Sequence, residues 1–301
     1  MGYFSDVAFA DLSVQSATDD GNVQCNINLR TPSKVSAGEP SVIKFDRLES
    51  EQGALANAFK NARPFSYVVI DDFCDSERLG ALLDQIPNPD DGNINKSRDY
   101  VFAKNKFEKS NFREVGPLFD EIYSDLMSDR FRNLLQTIVD APVWVDPEFH
   151  GGGIHQGGEG SFLDMHVDFS HHPLHKDWER DLNILLYLNR DWNPDHRGQL
   201  DLRHKETGEA AQIEPRFNRC VIMHTKAYTL HGYGQINFPK GEYRRSIATY
   251  AYKPAKEGAK GRSTTWFPED SGVIKRLIGK SWPKLVSIKT KLLGSGTSGN
   301  R

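Results

Sequence analysis

The chain changes texture near residue 140. Before that point apolar residues recur at helical spacing. Leu79, Leu82, Leu83 and Ile86 stand at i, i+3, i+4 and i+7 behind Ser76, which predicts a helix capped by Ser76 and ended by Pro87 and Pro89. Residues 117–138 carry a longer stripe of Leu118, Ile122, Leu126, Phe131, Leu134, Leu135 and Ile138, which predicts an amphipathic helix or a pair of them. Residues 50–62 predict a short helix with Ser50 at its cap, and residues 64–73 a buried strand. Residues 90–112 are polar and read as a long loop.

From Val143 onward the pattern is one of short alternating runs broken by turns. Strands are predicted at 143–145, 161–168, 183–189, 199–203, 211–214 and 219–223, in a run closed by His231, and at 244–252, with a turn at 157–160. This is the spacing of an all-β barrel. The fold class expected is mainly β with flanking helices. One domain over residues 64–252 is expected, its barrel core starting at about 143. Residues 1–63 are expected to form an N-terminal extension packing on or lining the site. Residues 253–301 form a basic C-terminal segment, whose stretch 294–299 has linker composition.

Composition narrows the class. With 38% hydrophobic and 26% charged residues and a net charge of −3, the 301-residue chain reads as a globular protein with no nucleic-acid partner expected. Basic residues outnumber acidic ones 11 to 3 from Lys253 to Arg301, which reads as a solvated terminus. The three cysteines, Cys25, Cys74 and Cys220, are odd in number and lack metal-ligand spacing, so neither a disulfide framework nor a zinc ribbon is expected. No run approaches 18 apolar residues, and the first residues lack a charged n-region. A cytoplasmic protein without a membrane span is the expectation.

The chemistry concentrates in His166-Val167-Asp168. On a strand, side chains alternate with period two, so His166 and Asp168 share a face. One more histidine from a distant strand completes two imidazoles and a carboxylate. That set leaves three adjacent positions open on an octahedral metal, the arrangement of non-haem Fe(II) oxygenases. Candidates for the third ligand are His224 and His231. His231 is preferred because a hairpin of 13 residues from it to Arg244 brings a cation beside the metal. Arg244 and Ser246 share a face, and Arg245 points outward. A planar guanidinium suits a carboxylate because it donates two parallel hydrogen bonds. Tyr187 can donate its hydroxyl to the same carboxylate or pack in the core. A rival cluster, His171, His172 and His175, reads as loop residues near the site mouth, with a zinc site as the alternative.

Taken in order, several fragments resemble the Fe(II)/2-oxoglutarate-dependent dioxygenases, in the prolyl 4-hydroxylase-like branch. They are Pro64-Phe65-Ser66-Tyr67-Val68-Val69-Ile70-Asp71-Asp72-Phe73, Gly160-Ser161-Phe162-Leu163-Asp164-Met165-His166-Val167-Asp168-Phe169, Tyr187-Leu188-Asn189-Arg190-Asp191-Trp192, Gly198-Gln199-Leu200-Asp201-Leu202, Ile213-Glu214-Pro215-Arg216-Phe217-Asn218-Arg219 and Arg244-Arg245-Ser246-Ile247-Ala248. The resemblance implies a double-stranded β-helix, a jelly-roll or cupin-like core with N-terminal helical support. It implies Fe(II) at His166, Asp168 and His231, 2-oxoglutarate at Arg244 with Tyr187 beside it, O2 as oxidant and ascorbate to restore oxidised iron. The activity implied is hydroxylation of an unactivated C–H with release of succinate and CO2. One departure stands out: His155 or Gln156 occupies the neighbourhood where the family commonly has a tyrosine. Polar residues in the segments expected to border the pocket (Asn95, Lys96, Arg98, Asp99, His150, His155, Lys176 and Glu179) suggest a polar substrate, a small molecule or a peptide. Two alternatives stand beside this reading, a metal-containing jelly roll that binds a sugar or peptide without oxidation, and a zinc hydrolase.

Overall fold

A computed structural model describes residues 41–89, 95–96 and 102–268. The readings for Cys25, Arg98, Asp99 and the stretch 294–299 fall outside these residues. In chain order the elements are α1 (Phe45–Asn61), β1 (Tyr67–Ile70), α2 (Ser76–Leu83), β2 (Asn95–Lys96), β3 (Ala103–Lys109), α3 (Pro117–Met127), α4 (Asp129–Val139), β4 (Trp144–Val145), β5 (Gly153–Val167), β6 (Trp178–Tyr187), β7 (Leu200–His204), β8 (Ala210–Ile213), β9 (Arg219–His224), β10 (Thr229–Tyr233), β11 (Arg244–Pro254) and β12 (Thr265–Trp266).

The helices form where the apolar stripes fall, with some caps moved. Helix α1 starts at Phe45, the first of its buried residues Phe45, Leu48 and Phe59. Ser50 therefore lies inside the helix and does not cap it. The chain leading into α1 is held by Asp125 of α3, whose Oδ2 accepts from the Val42 and Ile43 amides at 2.7 and 2.9 Å. Asp75 caps α2, accepting from the Arg78 amide at 2.9 Å, so Ser76 is the first helical residue and not the cap. The stripe over 117–138 is two helices, parted at Ser128, whose extended backbone and side-chain bond from the Phe131 amide start α4.

The strands pair antiparallel in the order β1-β9-β6-β11-β5-β10-β7-β8, a sheet curled into the half-barrel of a double-stranded β-helix. Its two faces differ. The outer face joins Ile184, Leu186, Ile222 and Ile247 to Phe73, Phe119, Phe131 and Leu135 in one apolar cluster under the helices. The inner face holds a smaller cluster of Tyr187, Leu200, Leu202, Val221 and Met223.

Strand β5 organises the curl. Its first half pairs with β11 (Arg244↔Gly157, Ser246↔His155), and its second half pairs with β10 (His231↔His166). The glycines at 157–160, expected to turn the chain, lie inside this one long strand. Only Gly160 among them has a positive φ, 65°, the left-handed region that glycine enters without strain. Nor do His231 and Arg244 face one another across a hairpin: β10 and β11 flank different halves of β5, and β5 brings them to one site. His231 lies in the middle of β10 and does not close it. A further correction concerns residues 90–112. They include β3, which pairs with β5 (Glu108↔His155, Phe107↔Gln156). Alternation missed it because Lys106 and Glu108 occupy its inner face, where an apolar residue is expected.

Asn218 ties the sheet to the helical side. It sits at φ 61°, and its buried side chain accepts from the Cys74 amide at 2.8 Å and donates to the Cys74 carbonyl at 2.8 Å. Replacing it by alanine strands both backbone groups and places alanine in a left-handed conformation. Asn218→Ala is expected to lower stability by about 1–3 kcal/mol in urea denaturation.

Candidate metal and co-substrate site

His166 at the end of β5 and His231 in β10 are register partners, and their rings lie 4.2 Å apart. Gly232 permits this approach, because a Cβ there would meet the Leu163 carbonyl oxygen at 2.6 Å. Asp168 completes the group, with Oδ1 3.5 Å from His166 Nε2 and Oδ2 3.3 Å from His231 Nε2. The three ligand atoms lie within 4.8 Å of one another, and all three residues are buried. His166 Nδ1 is 2.9 Å from the Asp164 carbonyl oxygen. Donation to that oxygen puts the proton on Nδ1 and turns the Nε2 lone pair inward. Burial, then the neighbouring His166, holds His231 below the usual imidazole range against the pull of Asp168, so it stays neutral. Two neutral imidazoles and one ionised carboxylate are the donor set for a divalent first-row metal, so the residues present fit Fe(II).

The carboxylate is supported from outside the triad. Arg180, 2% exposed, reaches Asp168 Oδ2 at 3.0 Å, and Asn183 Nδ2 donates to the same oxygen at 2.9 Å. Asn183 Oδ1 in turn accepts from Arg180 Nε and Nη2 at 3.0 and 2.6 Å. The guanidinium lies over the Tyr250 ring, 3.4 Å from its centroid, and over Phe169 at 4.6 Å. Arg262 donates to the Asp168 backbone carbonyl at 3.2 and 3.0 Å. Burial alone pushes the Asp168 carboxyl up; the charge of the adjacent Arg180 opposes it, and the group is held well below the ordinary range. Trp266 of β12 pairs with His166 and stacks on its ring at 4.7 Å.

A cavity of about 310 Å³ opens beside the triad. Arg244, Ser246 and Tyr187 line it, as their alternation implies. Arg244 is 7% exposed; its Nε donates to the Gly198 carbonyl at 2.7 Å, and Nη2 lies 3.4 Å from the Tyr187 hydroxyl. Tyr233 packs under the guanidinium at 4.2 Å. No carboxylate among the described residues forms an ion pair with Arg244. Arg245 faces the other way, half-buried, with Nε donating to Gln156 Oε1 at 2.8 Å.

The remaining histidines go elsewhere. His224 pairs with Asp181 at 3.5 Å and packs edge-on against Phe59. His171 meets Ser170, and His175 stacks on Trp178 at 4.2 Å, so the rival trio does not converge. His172 does lie near Glu148 and His150. Its Nδ1 accepts from the Leu174 and His175 amides at 3.2 and 3.1 Å. That leaves the proton on Nε2, facing Asp146 at 3.4 Å, so no lone pair is offered to a metal there. Sequence reasoning missed Arg180, Asn183 and Trp266. Arg180 stands between Glu179 and Asp181, so no local pattern signalled it.

A β-helix whose inner face carries two histidines and one carboxylate is the architecture of a non-haem metal oxygenase. Residues 152–252 match the sequence model of the 2OG-Fe(II) oxygenase superfamily. The chain is thus a 2-oxoglutarate-dependent enzyme. No curated protein matches the chain. Among solved structures, a prolyl hydroxylase from Trichoplax adhaerens, in complex with a hypoxia inducible factor oxygen degradation domain peptide fragment, is similar in fold. Its TM-score is 0.51 at 15% identity, covering 69% of this chain and 91% of that one. A Pseudomonas putida prolyl-4-hydroxylase gives 0.48 at 18% identity, covering 67% of this chain and 99% of that one.

Arg180→Met removes the cation that keeps Asp168 ionised and oriented. The expected result is Mn(II) affinity weakened by about 10–100-fold, the usual cost of losing a group that orients a ligand, measured by isothermal titration with circular dichroism to confirm the fold.

Proposed function

We propose that this enzyme hydroxylates an unactivated C–H of a polar small molecule or peptidyl residue. His166, Asp168 and His231 hold Fe(II), and Arg244, flanked by Tyr187 and Ser246, anchors the distal carboxylate of 2-oxoglutarate. Bound together, iron and 2-oxoglutarate supply the oxidation, in which one oxygen atom of O2 enters succinate, the other enters the substrate as a hydroxyl, and CO2 leaves. The observation that carries this reading is Arg244: a buried guanidinium on the triad's cavity, with no carboxylate among the described residues paired to it. Burying a cation without a counter-charge is costly, and a dicarboxylate chelating the metal would relieve that cost at its far end. A jelly roll that only binds a sugar or peptide gives Arg244 no such duty.

The chain's own contributions are binding and orientation. Asn183 and Arg180 fix Asp168 through Oδ2 and leave Oδ1 to face the metal position. The Asp164 carbonyl and the Trp266 ring fix His166. The Tyr187 hydroxyl, which burial keeps protonated against the pull of Arg244, remains a donor to an incoming carboxylate. We assign the catalytic domain to residues 64–252. Thr264 and Trp266 of the C-terminal segment line the cavity. Among the described residues no helix is long and apolar enough to cross a membrane; a cytoplasmic location is proposed from the sequence alone. Ascorbate dependence rests on the family resemblance.

The test is succinate formation from 2-oxoglutarate with Fe(II), with and without ascorbate, over a panel of polar compounds, with mass spectrometry for a gain of one oxygen. Asp168→Ala is expected to abolish it. Arg244→Leu is expected to raise the KM for 2-oxoglutarate at least about 30-fold, the equivalent of about 2 kcal/mol for a truncated buried charge pair. Full turnover by Asp168→Ala would remove the triad assignment.

A further inference from the structure

Once the metal triad, its supports and the Arg244 anchor are assigned, the cavity still holds one pair of opposite charges without a duty. Lys106 and Glu108 stand two residues apart on β3 and so share a face. Both line the cavity. Lys106 Nζ lies 2.6 Å from Glu108 Oε1, with side-chain exposures of 19% and 29%, so the pair is enclosed yet reachable. Glu108 is the register partner of His155, which is the register partner of Ser246, which is the register partner of Tyr187. The charge pair is therefore built into the same cross-strand row as the co-substrate anchor, at the opposite end.

His155 adds an acceptor. Nε2 is buried and has no hydrogen-bond partner. Burial, then the nearby Lys106 charge, pushes this imidazole down to about 3, so it is neutral. In the Nδ1–H tautomer, Nε2 presents a lone pair. An ammonium would find two acceptors side by side in Glu108 and His155 Nε2, and a carboxylate would find Lys106.

We propose that Lys106, Glu108 and His155 recognise a small zwitterion, a free amino acid, as the substrate of this enzyme. The proposal rests on the oxygenase reading for its chemistry but not for its geometry. A simple anion meets Glu108, and a simple cation meets Lys106; a molecule with an ammonium and a carboxylate on one carbon satisfies the pair without leaving a partner stranded. Insertion replaces one ion pair by an alternating set of four charges. Size points the same way. The cavity, about 310 Å³, stands at the low end of the range for small-molecule sites, roughly 300–1,000 Å³, and also has to accommodate 2-oxoglutarate. What remains suits a single amino acid better than a peptide.

The experiment is equilibrium titration of the full chain, loaded with Ni(II) and 2-oxoglutarate, with the free L- and D-amino acids, their methyl esters, their N-acetyl derivatives and short peptides. At least one free amino acid is expected to bind, with esterification and N-acetylation each weakening it more than tenfold. Lys106→Met is expected to erase the penalty on the ester, and Glu108→Gln the penalty on the N-acetyl derivative. These two selective losses cannot come from general unfolding. Absence of binding by every free amino acid, equal or tighter binding of the blocked forms or peptides, or penalties that persist in both variants would overturn the proposal. So would a Lys106→Met variant that loses 2-oxoglutarate in place of the amino acid. Succinate release with Fe(II), followed in parallel, separates the two readings: amino-acid binding without succinate release sinks the oxygenase assignment and leaves the recognition site standing.

Discussion

A carboxylate removed from water costs several kcal/mol unless charge and hydrogen bonds replace its hydration. Asp168 is removed from water, and the surrounding elements are arranged to answer that cost. Arg180 and Asn183 come from β6, Arg262 from the segment after β11, and the two histidines from β5 and β10. Each was placed by backbone pairing before any ligand arrives. Because Oδ2 is engaged by Arg180 and Asn183, a metal held by the three residues would find Oδ1 as the less committed oxygen. The same guanidinium is sandwiched against Tyr250 and Phe169, so its own burial is offset by aromatic faces as well as by Asp168.

The site depends equally on β5 changing partners. A fifteen-residue strand is long enough to pair with β11 at one end and β10 at the other. His166 lies on the second half, beside His231 of β10, and Arg244 of β11 lies beside the first. A co-substrate held as proposed, between the triad and the guanidinium, would span the two halves of one strand. The glycines between those halves allow the bend, and Gly160, with its positive φ, is the one whose backbone requires glycine.

Much of this was legible in the sequence, for identifiable reasons. His166 and Asp168 could be placed on one face because strand periodicity is rigid, and Arg244 and Ser246 for the same reason. The helices at α2, α3 and α4 followed from apolar spacing. What was not legible were the long-range facts. The route by which Arg244 approaches the triad runs through β5, and no local pattern encodes a partner exchange. Arg180 and Trp266 act only because β6 and β12 lie against the site. Strand β3 escaped notice because its inner face is charged, and alternation detects strands only where one face is apolar. Helix α1 begins at Phe45, before the expected Ser50, where a tertiary contact, Asp125 with the Val42 and Ile43 amides, holds the chain leading into it.

That blind spot has a structural counterpart. A barrel whose interior gives room to histidines, carboxylates, guanidiniums and an ammonium keeps only a small apolar cluster where an ordinary small barrel is filled with side chains. Each buried ion sets several kcal/mol against the fold before its partners offset it. Each fully buried Leu, Ile or Phe contributes roughly 1.5–3 kcal/mol. The balance is therefore met on the other face, where Ile184, Ile222 and Ile247 meet Phe73, Phe119, Phe131 and Leu135. On this view the helices before the barrel are the apolar half of the site's energetics. The sheet carries chemistry on one side because it carries its stability on the other.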